Sequence, residues 1–257
     1  MGAQELIAKL RALGKPATAL IYSRHGVLDE TFGVTYADLK RMLKTLRVDQ
    51  ALARQLWESG IHDARVLATR VADASQVTRD ELESWLGQVR DHITVDSISA
   101  LAARTPQAWK LAQRWIRSRD EWVSAAGWNV ISILAIEQRL EVESADRLIE
   151  QIRETIARAR NRTRHSMNNA LIAIGGSIAE LTDAALVAAH AIGEVEVDHG
   201  ETGCTTPDAV AYIQKMRART RITGTRSKPA RKSAKKPAKK PAKKARKPAL
   251  DRRSARS

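Results

Sequence analysis

Apolar side chains recur at helical spacing along most of this 257-residue chain, and that rhythm leaves few folds open to it. Leu6, Ile7, Leu10 and Leu13 form one stripe, stopped by Gly14; Leu39, Met42, Leu43 and Leu46 form the next. Leu52, Leu56 and Trp57 follow, then Val66, Leu67 and Val71. Residues three and four apart share one face of a helix, so each stripe is a face that has to be buried against a neighbour. Thr78 with Glu81 reads as a capping box opening the helix of Leu82, Trp85, Leu86 and Val89. Thr105-Pro106 reads as an N-cap with proline at the first helical position, ahead of Trp109, Leu111, Ala112 and Trp115. Further stripes cover 121–137, 145–159, 166–179 and 182–192, and Thr206-Pro207-Asp208 opens a last short helix with Val210, Ile213 and Met216. Residues 16–35 predict a short helix and a loop. Only IGEVEV (192–197) alternates like a strand, and it is too isolated to build a sheet. About a dozen helices with short connections fit either a helical bundle or an array of HEAT-like pairs, which run ~40 residues per unit. Periodicity alone is compatible with both.

The C-terminus is a different material. Residues 226–257 read RSKPARKSAKKPAKKPAKKARKPALDRRSARS, with Pro229, Pro237, Pro241 and Pro248 interrupting any helix and Leu250 the one large apolar residue. From Lys215 onward 19 Lys and Arg face the single acid Asp251; since the whole chain is +15, residues 1–214 sum to about −3. A flexible polycation on a near-neutral body is suited to lie along a polyanion, and duplex DNA carries a charge every ~1.7 Å of its axis. The tail is similar to linker-histone tails, so Lys235, Lys236, Lys239, Lys240, Lys243 and Lys244 are expected to contact DNA phosphates.

Other classes find little support. One cysteine, Cys204, excludes an internal disulfide framework and fits a reducing compartment. MGAQELIAKLRALG carries charges throughout and lacks the apolar core of a signal peptide, and no run approaches a membrane span. Asp198, His199, Glu201 and Cys204 sit close in sequence without a second His or Cys at zinc spacing, and Gly175-Gly176 lacks the Lys-Ser/Thr of a phosphate loop. No metal and no cofactor is expected, and the protein is expected to be a cytoplasmic, nucleoid-associated monomer.

Several segments together resemble the DNA alkylation repair family, bacterial HEAT-like-repeat DNA glycosylases that remove alkylated purines. They are SRHGV with FGV (23–34), LARQLWESGIHDARVLA (52–68), ESWLGQVRD with DHITVDSISALAAR (91–104), TPQAWKLAQRWIRSRDEWVSAAGW, NRTRHSMNNALIAIGG (161–176) and VEVDHGETGCTTPDAVAYIQK (195–215). The resemblance implies an all-α, curved solenoid of HEAT-like helical pairs over residues 1–220, followed by a disordered basic tail over 221–257. It also implies double-stranded DNA as the partner. In active members an Asp in a Trp-x-x-x-Asp element stabilises the sugar cation as the charged base departs, and by position that residue is Asp96. Where the family has the Trp, this chain has His92, still on the same helix face as Asp96. Where the family has an Arg in the next repeat it has Ala125, and where some members carry a later Trp the nearest match is Ala173. One reading is a glycosylase acting through Asp96 and His92 on cationic N3- or N7-alkylated purines. The other is a non-catalytic DNA-structure or nucleoid-binding protein on the same scaffold. Arg158, Arg160, Arg162 and Arg164 form the strongest basic cluster of the body and are expected to hold phosphates. A continuous helix would split them between two faces, and a helix end followed by a turn at Asn161 would gather them better.

Overall fold

In a computed structural model, residues 1–224 are described, with side chains described through Arg219. The expected DNA contacts Lys235, Lys236, Lys239, Lys240, Lys243 and Lys244 lie outside the described residues. The chain folds as α1 (Ala3–Leu13), α2 (Pro16–Arg24), α3 (Tyr36–Leu43), α4 (Gln50–Glu58) and α5 (His62–Val71). It continues with α6 (Arg79–Gly87), α7 (His92–Arg104), α8 (Ala108–Trp115), α9 (Glu121–Ile136) and α10 (Val142–Thr155). After a 3₁₀ turn at Ile156–Arg158 comes α11 (Asn161–Ser177), then a second such turn, α12 (Thr182–Ile192) and α13 (Ala209–Gly224). Among the described residues there is no strand, and IGEVEV is an extended connection.

Short polar side chains set the helix starts. Thr35 accepts from Asp38 N, Asp49 from Leu52 N, Thr78 from Glu81 N and Asp91 from Thr94 N. Asp120 accepts from both Trp122 N and Val123 N, satisfying two of the donors that a helix leaves unpaired at its first turn. Thr105 departs from its expected role. It ends α7, its hydroxyl donating to Ala102 O, and α8 starts only at Ala108. The last helix is longer than its apolar stripe, running sixteen residues to Gly224.

The helices form two layers. The row α3, α5, α7, α9, α11, α13 packs side by side, and α4, α6, α8, α10 and α12 lie behind it as the second member of each pair. Between the layers sits one continuous core, to which Ile98 and Leu101 of α7, Ile131 and Leu134 of α9 and Leu171 and Ile174 of α11 all belong. The layers are closest where α9 crosses the end of α8. A Cβ on Gly127 would lie 2.7 Å from Ile116 N and 2.9 Å from Trp115 Cβ, so only glycine fits. The tryptophans are mostly core. Trp115 and Trp128 are fully buried, and Trp57 stacks on Trp85 with centroids 4.3 Å apart and planes 4° from parallel. Such a pair adds ~0.5–1.5 kcal/mol beyond burial.

The loop between α2 and α3 is fixed by one carboxylate. Buried Asp63 accepts from Thr31 Oγ1, Phe32 N and Val34 N at 2.7–2.9 Å, and the Tyr22 hydroxyl donates to Val34 O at 2.7 Å. No single helix among the described residues is long and apolar enough to cross a membrane.

Candidate functional site: a cleft across α7, α9 and α11

Three neighbouring helices of the inner row each turn one face to a common cleft of about 240 Å³. From α7 come His92, Val95 and Asp96; from α9 Trp122, Ala125 and Asn129; from α11 Arg162, His165 and Asn169. On α9 and α11 these residues are three or four apart, and on α7 Val95 and Asp96 lie three and four residues beyond His92, so each set shares one helix face. The core-facing residues named above occupy the opposite faces.

Asp96 is the one carboxylate lining the cleft. It is reachable by solvent, yet protein surrounds it on most sides, and its Oδ1 accepts from Asn129 Nδ2 at 2.7 Å. Loss of hydration first, and the charge of Asp91 second, push its carboxyl up to about 7, against smaller opposing pulls from Arg162 and the Asn129 bond. The open side lets water screen part of this effect. Near neutral pH the group is poised between its neutral and charged forms, and a cation entering the cleft favours the charged one.

His92 lies one turn away, and its partner is another ring. His25 stands edge-on to it with centroids 5.3 Å apart, and the buried Nδ1 has no hydrogen-bond partner. Burial first, then Arg162 and the other nearby histidines, bring its pKa down to about 4, so it is neutral at pH 7. His165 makes an equivalent edge contact with His199 at 5.4 Å and is likewise brought down to about 4, chiefly by burial and His199.

The four arginines are not brought together. Arg162 alone lines the cleft. Arg158 ends the 3₁₀ turn and Arg160 precedes α11, both exposed. Arg164 turns to backbone carbonyls, donating to Glu196 O at 3.1 Å and Ala159 O at 2.9 Å. The chain breaks before Asn161 rather than turning at it, and Asn161 opens the next helix. Its amide pairs with the backbone of Asp198, donating to Asp198 O and accepting from Asp198 N at 2.7 and 2.8 Å. Asn168, fully buried, donates to Pro207 O at 2.8 Å. The motif NRTRHSMNN thus serves two adjacent faces of α11. Asn161, Arg164 and Asn168 strap down the segment 193–208, and Arg162, His165 and Asn169 look into the cleft.

Trp122 and Asn129 are the site residues that helical stripes do not single out. Their sequence signal is their spacing from Ala125, one turn on either side of it along α9. Trp128, by contrast, is buried in the core, and Ala173 is buried away from the cleft. Among the described residues no group of three or more His, Cys, Asp or Glu is arranged to hold a metal ion. His199 instead hydrogen-bonds Thr206, Asp198 caps Gly200 N, and Cys204 is a free thiol.

A two-layer array of helical pairs, with an acid and a tryptophan lining a cleft on its inner row, defines a HEAT-like repeat protein. The chain belongs to the DNA alkylation repair enzyme family, whose pattern matches residues 6–213. It is 31% identical over 222 residues to an uncharacterized protein of Listeria innocua, covering 84% of this chain and 97% of that one. It is 30% identical over 224 residues to an uncharacterized protein of Listeria monocytogenes, covering 84% and 98%. A solved structure superposes with a TM-score of 0.80 at 27% identity, over 86% of this chain and 96% of that one. That structure is of a new family of proteins related to the HEAT-like repeat DNA glycosylases, with affinity for branched DNA structures.

Proposed function

We propose that this chain is a DNA-binding repair protein of the nucleoid whose cleft receives a cationic alkylated purine nucleotide, with Asp96 the anion that promotes loss of the base. The observation that carries this reading is the Asp96 carboxyl set in a cleft between Trp122 and Arg162. An N3- or N7-alkylated purine is positively charged and leaves readily. As the bond from sugar C1′ to nitrogen breaks, the bonding pair departs with the base, which becomes neutral, and positive charge moves onto the sugar. A carboxylate beside C1′ lowers the energy of that state, and water adds to C1′, passing its proton to Asp96 and on to solvent. Trp122 offers a π face to the cation, and Arg162 a phosphate contact. Asn129 orients Asp96. His92, neutral at pH 7, adds no opposing charge.

Release of 7-methylguanine from methylated DNA by the purified protein, compared with Asp96→Asn, tests this. Loss of release with duplex affinity retained is expected; equal loss of both would make Asp96 a structural residue.

A second reading is binding of branched DNA without base removal. Two observations favour it. His92 and Ala125 supply neither a large aromatic wall nor a phosphate-clamping cation, and the structural neighbour comes from a family with affinity for branched DNA. Junction binding without any release of 7-methylguanine would select it.

A further inference from the structure

Next to the cleft, a separate groove of about 340 Å³ opens between α3 and α5. Its floor is Leu39, Leu43, Val66 and Leu67. Its rim carries Tyr36, the first residue of α3, with 52% of its surface exposed. Tyr36 thus keeps about half of its surface open above an apolar floor. Lys40 follows one turn along α3, and Arg70 stands opposite in the last turn of α5. Neither is paired with an acid among the described residues, whereas Arg41 on the same helix pairs with Asp38 and Lys15 reaches the same carboxylate. Arg70 also lies near Arg104 of α7. Burial and then the charge of Arg70 pull the Arg104 guanidinium down, and Arg104 is held in place by donating to Thr69 O at 2.7 Å. Two neighbouring cations without an acid between them are relieved by an anion.

The rim of the groove lies within electrostatic reach of the cleft. Burial first and the charge of Asp96 second push the Tyr36 phenol up, while Arg70 pulls it down, so the hydroxyl lies within electrostatic reach of both.

We propose that this groove holds one unpaired nucleobase against the Tyr36 ring, with Lys40 and Arg70 on its flanking phosphates. The inference rests on the DNA-binding reading of the cleft and names a second contact beside it. The occupant follows from the chemistry of the rim. A free aromatic face with an apolar floor suits a flat ring, and two unpaired cations suit the phosphates on either side of it. Bases inside a duplex have both faces stacked on neighbours, so the ring that fits is one freed from the stack, as at a branch point or a strand end.

The test uses the full chain at about 0.15 M salt, where long-range charge effects are screened beyond ~8 Å. A three-way DNA junction carries the fluorescent base 2-aminopurine at the unpaired nucleotide beside the branch, and a linear duplex of the same sequence carries it within a pair. The wild-type protein and Tyr36→Phe should quench the junction probe. Tyr36→Leu keeps an apolar side chain at an exposed position, so the fold is not at risk. It should abolish quenching and weaken junction binding about fivefold or more, with linear duplex affinity unchanged. Arg70→Gln should lower the junction salt slope by about one. Junction preference and quenching untouched in Tyr36→Leu would overturn this inference and leave the cleft reading standing. Failure of the wild-type protein to bind either DNA would overturn both.

Discussion

The poised carboxyl of Asp96 makes a prediction that does not depend on catalysis. DNA containing a pyrrolidine in place of the target sugar carries a positive charge where the sugar cation develops, and the tetrahydrofuran analogue is its neutral counterpart. A unit charge ~4 Å from a carboxylate is worth about 4 kcal/mol at an effective dielectric of about 20. Solvent reaches Asp96, so about half that is a fairer figure, corresponding to roughly thirtyfold tighter binding of the cationic DNA. The sign with pH follows from the free protein, whose Asp96 titrates at about 7. The preference should rise from pH 6 to pH 8, as fewer molecules have to lose a proton before pairing, and level off above that. Asp96→Asn should bind both analogues alike at every pH. Fluorescence anisotropy with the two DNAs reads this directly, and a cationic preference that survives in Asp96→Asn would refute the reasoning. The same shift acts on stability. Because the folded pKa is raised above the ordinary aspartate value of 3.8, the folded protein keeps a proton that the unfolded chain releases. Stability should therefore decline as pH rises from about 4 to about 7, and urea midpoints of Asp96→Asn should lack that component.

Three further outcomes are expected. His92→Trp with Ala125→Arg restores an aromatic wall and a phosphate clamp, and should raise release of 7-methylguanine; no release from either protein, with DNA binding intact, would favour the non-catalytic reading. Deleting residues 226–257 should weaken duplex binding and flatten its salt dependence by about 0.9 in log–log slope per phosphate lost, and an unchanged slope would assign non-specific binding to the body. Asp63→Ala removes three hydrogen bonds to the loop after α2 and should cost about 3 kcal/mol in urea unfolding; a loss below about 1 kcal/mol would show that the loop holds without it.

Local chemistry was the most legible part of this sequence. The Thr78 cap, the stripes of α5 and α6 and the bounds of α12 follow from local spacing and capping alone. Thr105-Pro106 misleads because a threonine hydroxyl closes the end of one helix as readily as it opens another, and only the path of α7 decides. Asp96 was placed by resemblance, since a lone acid in the second turn of a helix carries no signal of its own. Asn129 was not legible, and Trp122 could not be told from Trp128 as the tryptophan of the site, because a stripe shows which face of α9 is buried but not which helices converge on the other face. Arg164 defeats reading from local spacing for a related reason. Its carbonyl partner Glu196 is 32 residues away, and the segment that supplies it has no periodicity.

The strap over α11 has a mechanical consequence. In an array where each pair of helices touches only its neighbours, overall curvature is the sum of many small hinge angles, and such an object stretches like a spring. The segment 193–208 comes back past α11 until Gly200 lies alongside the Arg24 carbonyl; even an added Cβ would be 3.9 Å from it. His199, beside it, reaches the ring of His165. The segment is thereby bonded to α11 by Asn161, Arg164 and Asn168 and passes within van der Waals range of the end of α2, so any change in the curvature of the coil has to carry this tether along with α11.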